Sequence, residues 1–178
     1  MKTAHSIYMD VANEFQGLVE CPGNKGPMVE RFQSVAGATP FGQPYCVGYV
    51  IYCADQVDLE LGTKHCLKRT LGSVALWEGA PDYSRTLRPY EPKAGMIVVW
   101  RIYKGGKPTW AGHVGIILEV FADGSMETIE ANTSNPHLEE RIERDGEGVN
   151  LKIRRWDRDM GRFKLMGFID PWAKQEEI

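Results

Sequence analysis

Cys46 follows a turn-rich loop, Thr39-Pro40-Phe41-Gly42-Gln43-Pro44, and opens a strongly apolar run, YCVGYVIYCA from Tyr45 to Ala54. Periodicity alone does not separate strand from helix in such a run. Its length, and the polar stretch Asp55–Glu60 that continues it, favour a buried helix. A thiol on the first turn of a helix faces N–H groups without intrahelical partners and the positive end of the macrodipole. Both favour the thiolate, the reactive form, and the same N–H groups are placed to hold an oxyanion. Free cysteine is otherwise commonly a small buried apolar residue; Cys21, Cys53 and Cys66 are read as structural or incidental.

A thiolate attacking an amide needs a base to keep it ionised and an acid to protonate the leaving amine, and imidazole does both near neutral pH. Of the four histidines, His5 lies in a terminus expected to fray, and His65 and His137 in polar loops. His113 heads an apolar strand in A-G-H-V-G-I-I, where Gly112 and Gly115 are expected to leave room for substrate beside the ring. A third group must accept the second imidazole N–H. Glu130, in T-I-E-A-N, and Asn132, two residues on and so on the same strand face, both qualify. The register is open at this point. A two-residue turn at Asp123-Gly124 sets His113 opposite Ser134, whereas a longer loop or a bulge brings Glu130 and Asn132 nearer the ring.

The elements that must position these groups fall into two halves. Ile7, Tyr8, Val11, Phe15, Leu18 and Val19 have helical spacing over residues 3 to about 20. Pro27 suits a first helical position, with Met28, Val29, Phe32 and Val35 on one face and Gly37 as the stop. A short helix is expected over Ser73–Gly79. After the loop Pro89–Lys93 the texture turns β-rich, with strands expected at Met96–Tyr103, His113–Phe121, Met126–Ala131, Val149–Trp156 and Phe163–Ile169. Helices first and an antiparallel sheet second predict an α+β fold, and 178 residues without repeats or a linker predict a single domain.

Composition excludes several classes. A net charge of −3 is not that of a nucleic-acid binder. No apolar run has the length of a membrane span. The amino-terminal stretch, interrupted by Asp10 and Glu14, does not read as a secretory signal, so synthesis in the cytoplasm is expected. The four cysteines form no C-x-x-C pair, and no metal or other cofactor is expected. Asn135–Gly148 reads as a long exposed loop. Lys152, Arg154, Arg155, Arg158 and Arg162, tempered by Asp157 and Asp159, read as a solvated strand face rather than an anion site. Trp100, Trp110 and Tyr103 are readable either as groove lining or as core.

Taken in order, G-Q-P-Y-C-V-G-Y-V, A-G-H-V-G-I-I and E-T-I-E-A-N-T resemble the signature blocks of CHAP domains, the cysteine, histidine-dependent amidohydrolases/peptidases related to the NlpC/P60 enzymes. N-K-G-P-M-V-E-R-F upstream and M-G-F-I-D-P at the end extend the resemblance over roughly Asn13 to Pro171. The resemblance implies a papain-like fold, with Cys46 as nucleophile, His113 as base and acid, Glu130 as orienter and Asn132 as auxiliary. Gln43 and Tyr45, beside the nucleophile, and Trp110 are the expected substrate contacts. Pro44 and Tyr45 separate Gln43 from Cys46, unlike many members, which leaves the Cys46 N–H as the oxyanion donor; Glu20–Lys25 has no D-x-D cluster, so no calcium is expected. The substrates implied are stem-peptide or cross-bridge amides of peptidoglycan, cut by a monomer reaching the wall after release, as a phage endolysin does. The alternatives are an amidase of small peptide conjugates and a non-catalytic wall-binding or tail module.

Overall fold

The computed structural model describes residues 2–133 and 148–174. Its elements run α1 (Ala4–Asn13), α2 (Pro27–Val35), α3 (Cys46–Leu61), α4 (Ser73–Gly79), β1 (Arg85–Thr86), β2 (Ile97–Lys104), β3 (Lys107–Val120), β4 (Ser125–Thr133), β5 (Gly148–Arg155) and β6 (Phe163–Ile169). The strands form one antiparallel sheet in the order β1-β6-β2-β3-β4-β5. This is the expected α+β arrangement, with α2, α4 and β6 at the expected bounds. Helix α1 is shorter than its apolar spacing suggests. The chain turns after Asn13, and Gly17, at φ 81°, donates to the Val149 carbonyl at 2.8 Å, so a contact to β5 replaces further helix. His5, expected to fray, is held in α1 at 2.8 Å from Asp170 and edge-on to Trp172. Residues 135–147, with His137, lie outside the described residues.

Helix α3 is buried over most of its length because its sequence is apolar on nearly every side. It ends at Gly62, whose left-handed conformation (φ 67°) lets its N–H close on the Asp58 carbonyl. Strand alternation then divides the sheet into two faces. Ile97, Val99, Val114, Ile116, Ile129, Ala131 and Val149 pack with the helices. Met96, Val98, Trp100, Ile117, Met126 and Phe168 form a second apolar cluster that contains no helix residue. His113 alternates with Val114 and so stands on the second face.

The β3–β4 register decides the site. The hairpin loop has three residues, Ala122 to Gly124, between Phe121 and Ser125, with Gly124 left-handed at φ 82°. That places Glu119 opposite Glu127 and Val120 opposite Met126. An irregularity between Ile117 and Glu119 shifts the ladder once more, to Ile117–Thr128 and Ile116–Ile129. The three-residue loop and the bulge each move β4 by one residue relative to a strict two-residue turn. Continued along β3, the final register brings Gly115 level with Glu130 and His113 level with Asn132, not Ser134.

Candidate active site

Cys46 is the first residue of α3 and is 5% exposed. Its position depends on the loop before it, which a buried side chain from α2 holds in place. Gln33 donates through Nε2 to the carbonyls of Asn24 (2.8 Å) and Gln43 (2.6 Å), and its Oε1 accepts from the Gly42 N–H at 3.1 Å. Such a fully satisfied buried amide fixes backbone that would otherwise wander. Below the thiol, Tyr45 stacks on Phe32 with 6.2 Å between ring centroids.

His113 and Glu130 come from adjacent strands, past the last β3–β4 ladder pair, Ile116–Ile129. Glu130 reaches diagonally across Gly115 to bring Oε2 within 2.8 Å of His113 Nε2. The crossing needs a residue without a side chain: a Cβ on Gly115 would lie 2.7 Å from Glu130 Cγ. A Cβ on Gly112 would collide with the Trp100 carbonyl and Ser73 Oγ. The two glycines expected to leave room for substrate are thus filled by the protein itself, one by the orienting carboxylate and one by β2 and α4. With Nε2 engaged by Glu130, Nδ1 is the imidazole nitrogen left for Cys46, whose side chain is close enough to the ring to raise its pKa. Trp100 stacks against His113, rings 15° apart with centroids at 6.1 Å.

The electrostatics follow from these contacts. Burial alone lowers the His113 pKa, but the hydrogen bonds to Cys46 and Glu130 and their charges override it and raise it to about 9. Burial likewise favours the neutral form of Glu130, yet Arg154 first and His113 second hold the carboxyl well below the ordinary carboxylate range. Glu130 has no exposed surface, and its Oε1 also accepts from Thr128 Oγ1 at 2.7 Å. The imidazole is therefore charged at neutral pH and oriented by a carboxylate that stays ionised. Burial pushes the Cys53 thiol well up and raises that of the half-buried Cys66.

The constellation is a thiol at a helix start, an imidazole within reach and a buried carboxylate behind it. The CHAP domain model matches residues 38–132, more than half of the chain, and spans all three groups. The chain belongs to the CHAP domain family. CHAP domains are generally hydrolases with a cysteine/histidine catalytic pair, and the family is one of peptidoglycan-related amidases and peptidases. No curated protein matches this chain.

The other expected CHAP site residues lie as follows. Asn132 takes a left-handed conformation (φ 55°) where the β4–β5 register shifts, and its Oδ1 is buried. Beyond that shift, simple alternation no longer puts its side chain on the face of Glu130. Gln43 is exposed, with only its carbonyl used by Gln33. Tyr45, expected to contact substrate, has no exposed surface: its ring belongs to the core, and burial first, then the Glu20 carboxylate, pushes its phenol far up. Trp110 is 84% exposed on β3. Among the described residues no cluster of His, Cys, Asp and Glu is arranged to hold a metal ion.

Three groups of this CHAP site were not singled out by sequence reasoning. Gln33 and Thr128 carry no motif. Arg154, expected on a solvated face, instead donates from Nε to Glu130 Oε1 (2.7 Å) and from Nη2 to Oε2 (2.5 Å). The signal was Glu130 itself, since a buried carboxylate needs a cation. Choosing among five basic residues required the β4–β5 register, which places Arg154 opposite Met126 and on the face of Thr128 and Glu130.

Proposed function

We propose that this protein hydrolyses amide bonds of peptidoglycan through an acyl-enzyme on Cys46, as an N-acetylmuramoyl-L-alanine amidase or an endopeptidase of the stem or bridge. The observation that carries the reading is the His113–Glu130 pair at 2.8 Å, its carboxylate without exposed surface, with the Cys46 side chain a neighbour of the imidazole. Cys46 Sγ attacks the amide carbonyl. The Cys46 N–H stands in the first turn of α3, where helical N–H groups lack intrahelical acceptors, and is placed to receive the oxyanion. His113, carrying its proton, gives it to the leaving amine; the neutral ring then takes a proton from water as that water attacks the thioester. Glu130 keeps the ring oriented and balances its charge throughout. Asn132 is an auxiliary polar group, and Trp110 and the exposed Gln43 are the remaining substrate contacts. We read the protein as an endolysin of phage type, acting as a monomer on the wall after release from the cytoplasm.

The test is to incubate purified sacculi of several wall types with wild type and Cys46→Ala and to identify released fragments by mass spectrometry. Release by wild type alone supports the reading. A free lactyl end with a free L-Ala amine marks an amidase; a cut within the stem or bridge marks an endopeptidase. No release by either protein sinks peptidoglycan hydrolysis and leaves the small-amide and wall-binding readings.

A further inference from the structure

A carboxylate without exposed surface stays ionised only when a cation and hydrogen-bond donors replace the water it has lost. For Glu130 that cation comes from β5. The Arg154 fork engages both carboxylate oxygens, and its side chain is 22% exposed. Such two-point pairing fixes orientation as well as charge. The guanidinium also lies 5.6 Å from the centroid of the Trp100 ring, which stacks on His113. Arg154 thus closes a circuit of contacts around the imidazole and its carboxylate. With Cys46 as thiolate and His113 as imidazolium, the sequence Cys46, His113, Glu130, Arg154 alternates in sign and sums to zero.

We propose that Arg154 is a positioning residue that completes a charge-neutral catalytic unit: by fixing Glu130 as an oriented anion it keeps the working proton on His113 and Cys46 reactive. The inference rests on the reading of Cys46, His113 and Glu130 as the reacting set. It adds a residue outside the stretch that the family model matches. Removing Arg154 leaves one net negative charge in a dry site, and the site responds by binding a proton. If Glu130 takes it, His113 loses its counter-charge. If Cys46 takes it, the nucleophile is lost directly. Either way alkylation of Cys46 is expected to slow at low pH. Among the described residues the other ionisable groups about the unit are Tyr45 with Glu20, on the Cys46 side, and Lys152, two residues from Arg154 on the same face of β5. Glu20 has the wrong sign to stand in, and Lys152 is the cation that a control must address.

The experiment follows alkylation of Cys46 by iodoacetamide, read by mass spectrometry of the Cys46 peptide so that the exposed Cys21 does not contribute. The quantity is the rate at pH 6 relative to the rate at pH 9.5. Arg154→Met is expected to lower this ratio about tenfold, the equivalent of one pH unit. Lys152→Met is expected to leave it within about twofold. In a Glu130→Gln background Arg154→Met is expected to add less than twofold, because Arg154 acts through that carboxylate. Arg154→Lys keeps the charge but loses one arm of the fork, and a fall of about threefold is expected, again erased by Glu130→Gln. This variant carries the test if the Met variant loses its cooperative unfolding transition. A wild-type ratio in Arg154→Met or Arg154→Lys overturns the proposal. So does an equal fall in the Glu130→Gln background, or a fall in Lys152→Met matching that of Arg154→Met. No wall substrate enters the assay, so inert sacculi would overturn the proposed function while leaving this inference standing.

Discussion

Among its described residues the chain builds a histidine–carboxylate–arginine cluster twice. In one, His65 Nε2 lies 3.0 Å from Asp55, and Arg69 forks onto both Asp55 oxygens at 2.5 and 2.6 Å. In the other, His113 Nε2 lies 2.8 Å from Glu130, and Arg154 forks onto both Glu130 oxygens. The His65 and His113 side chains are 5% and 12% exposed, and the difference lies at the other nitrogen. His65 Nδ1 accepts the Leu67 N–H at 3.1 Å, so the ring's two polar atoms are consumed by structure. Among the described residues no backbone N–H occupies His113 Nδ1, and the Cys46 side chain is a neighbour of the ring. Burial differs too: the Arg69 and Asp55 side chains are 51% and 21% exposed, against 22% and 0% for Arg154 and Glu130. A triad-like composition is thus not a site. A site needs an imidazole nitrogen left open toward a nucleophile, in surroundings dry enough for charge to matter.

The sharpest test exchanges the two histidines' fates. His113→Ala is expected to lower kcat/KM on whichever wall is cut by about 10⁴-fold, the scale of losing a triad base. His65→Ala is expected to leave kcat/KM within about threefold while lowering unfolding free energy by about 1–3 kcal/mol, since it removes hydrogen bonds from a buried network. Urea unfolding and wall digestion check both. A folded His65→Ala protein with little activity would break the comparison.

Next is Gly115→Ala. Its methyl would sit 2.7 Å from Glu130 Cγ, so the carboxylate must swing off His113. Activity is expected to drop roughly 10–100-fold, with about 1–3 kcal/mol of destabilisation. Unchanged activity would mean that the ring needs no carboxylate to hold it.

The pH dependence gives a smaller effect with a definite sign. The folded pKa of His113, about 9, lies above its ordinary 6.5, so its stabilising contribution is complete below about pH 6.5 and disappears as pH rises through 9. That of Glu130 is depressed below 4.5, so its contribution is complete above that value and is lost on acidification. Glu130→Gln should therefore differ most from wild type between roughly pH 4.5 and 6.5. The pH-dependent part of the gap, about 3 kcal/mol at most, should shrink toward pH 9.5. A gap of equal size at pH 5.5 and 9.5 counts against the ion pair. The smallest effect is expected at Trp110. Its replacement by Ala should change stability by less than about 0.5 kcal/mol and raise KM severalfold with kcat unchanged, if the indole contacts substrate.

Much of the fold was legible because local signals agree. Pro27 and the apolar face of α2, and the punctuated ends of α4, bound those helices where the chain forms them. The Asp123-Gly124 signal marks the hairpin, with Gly124 in the left-handed position it requires. Cys46 at a helix start stood out because the position is local; His113, expected to open its strand, is instead the seventh residue of β3, which begins at Lys107. Helix α1 was overextended because Phe15 and Leu18 continue its spacing, although they serve the core through turns rather than helix.

By itself, then, the sequence determined an α+β order of elements, a thiol opening a buried helix, and an imidazole and a carboxylate on neighbouring strands. The tertiary structure decided which groups meet. One residue from the hairpin loop and one from the bulge set β4 against β3 so that Glu130 crosses Gly115 to His113. The β4–β5 register chose Arg154 from a basic cluster that had read as solvated, and packing on Phe32 withdrew Tyr45 into the core. The physical reason is that pairing is set by the whole ladder: the two one-residue shifts together keep Glu130 on its face but carry it from the level of Ile117 to that of Gly115, beside the imidazole. Composition sees the side chains, but only the folded ladder sets the faces.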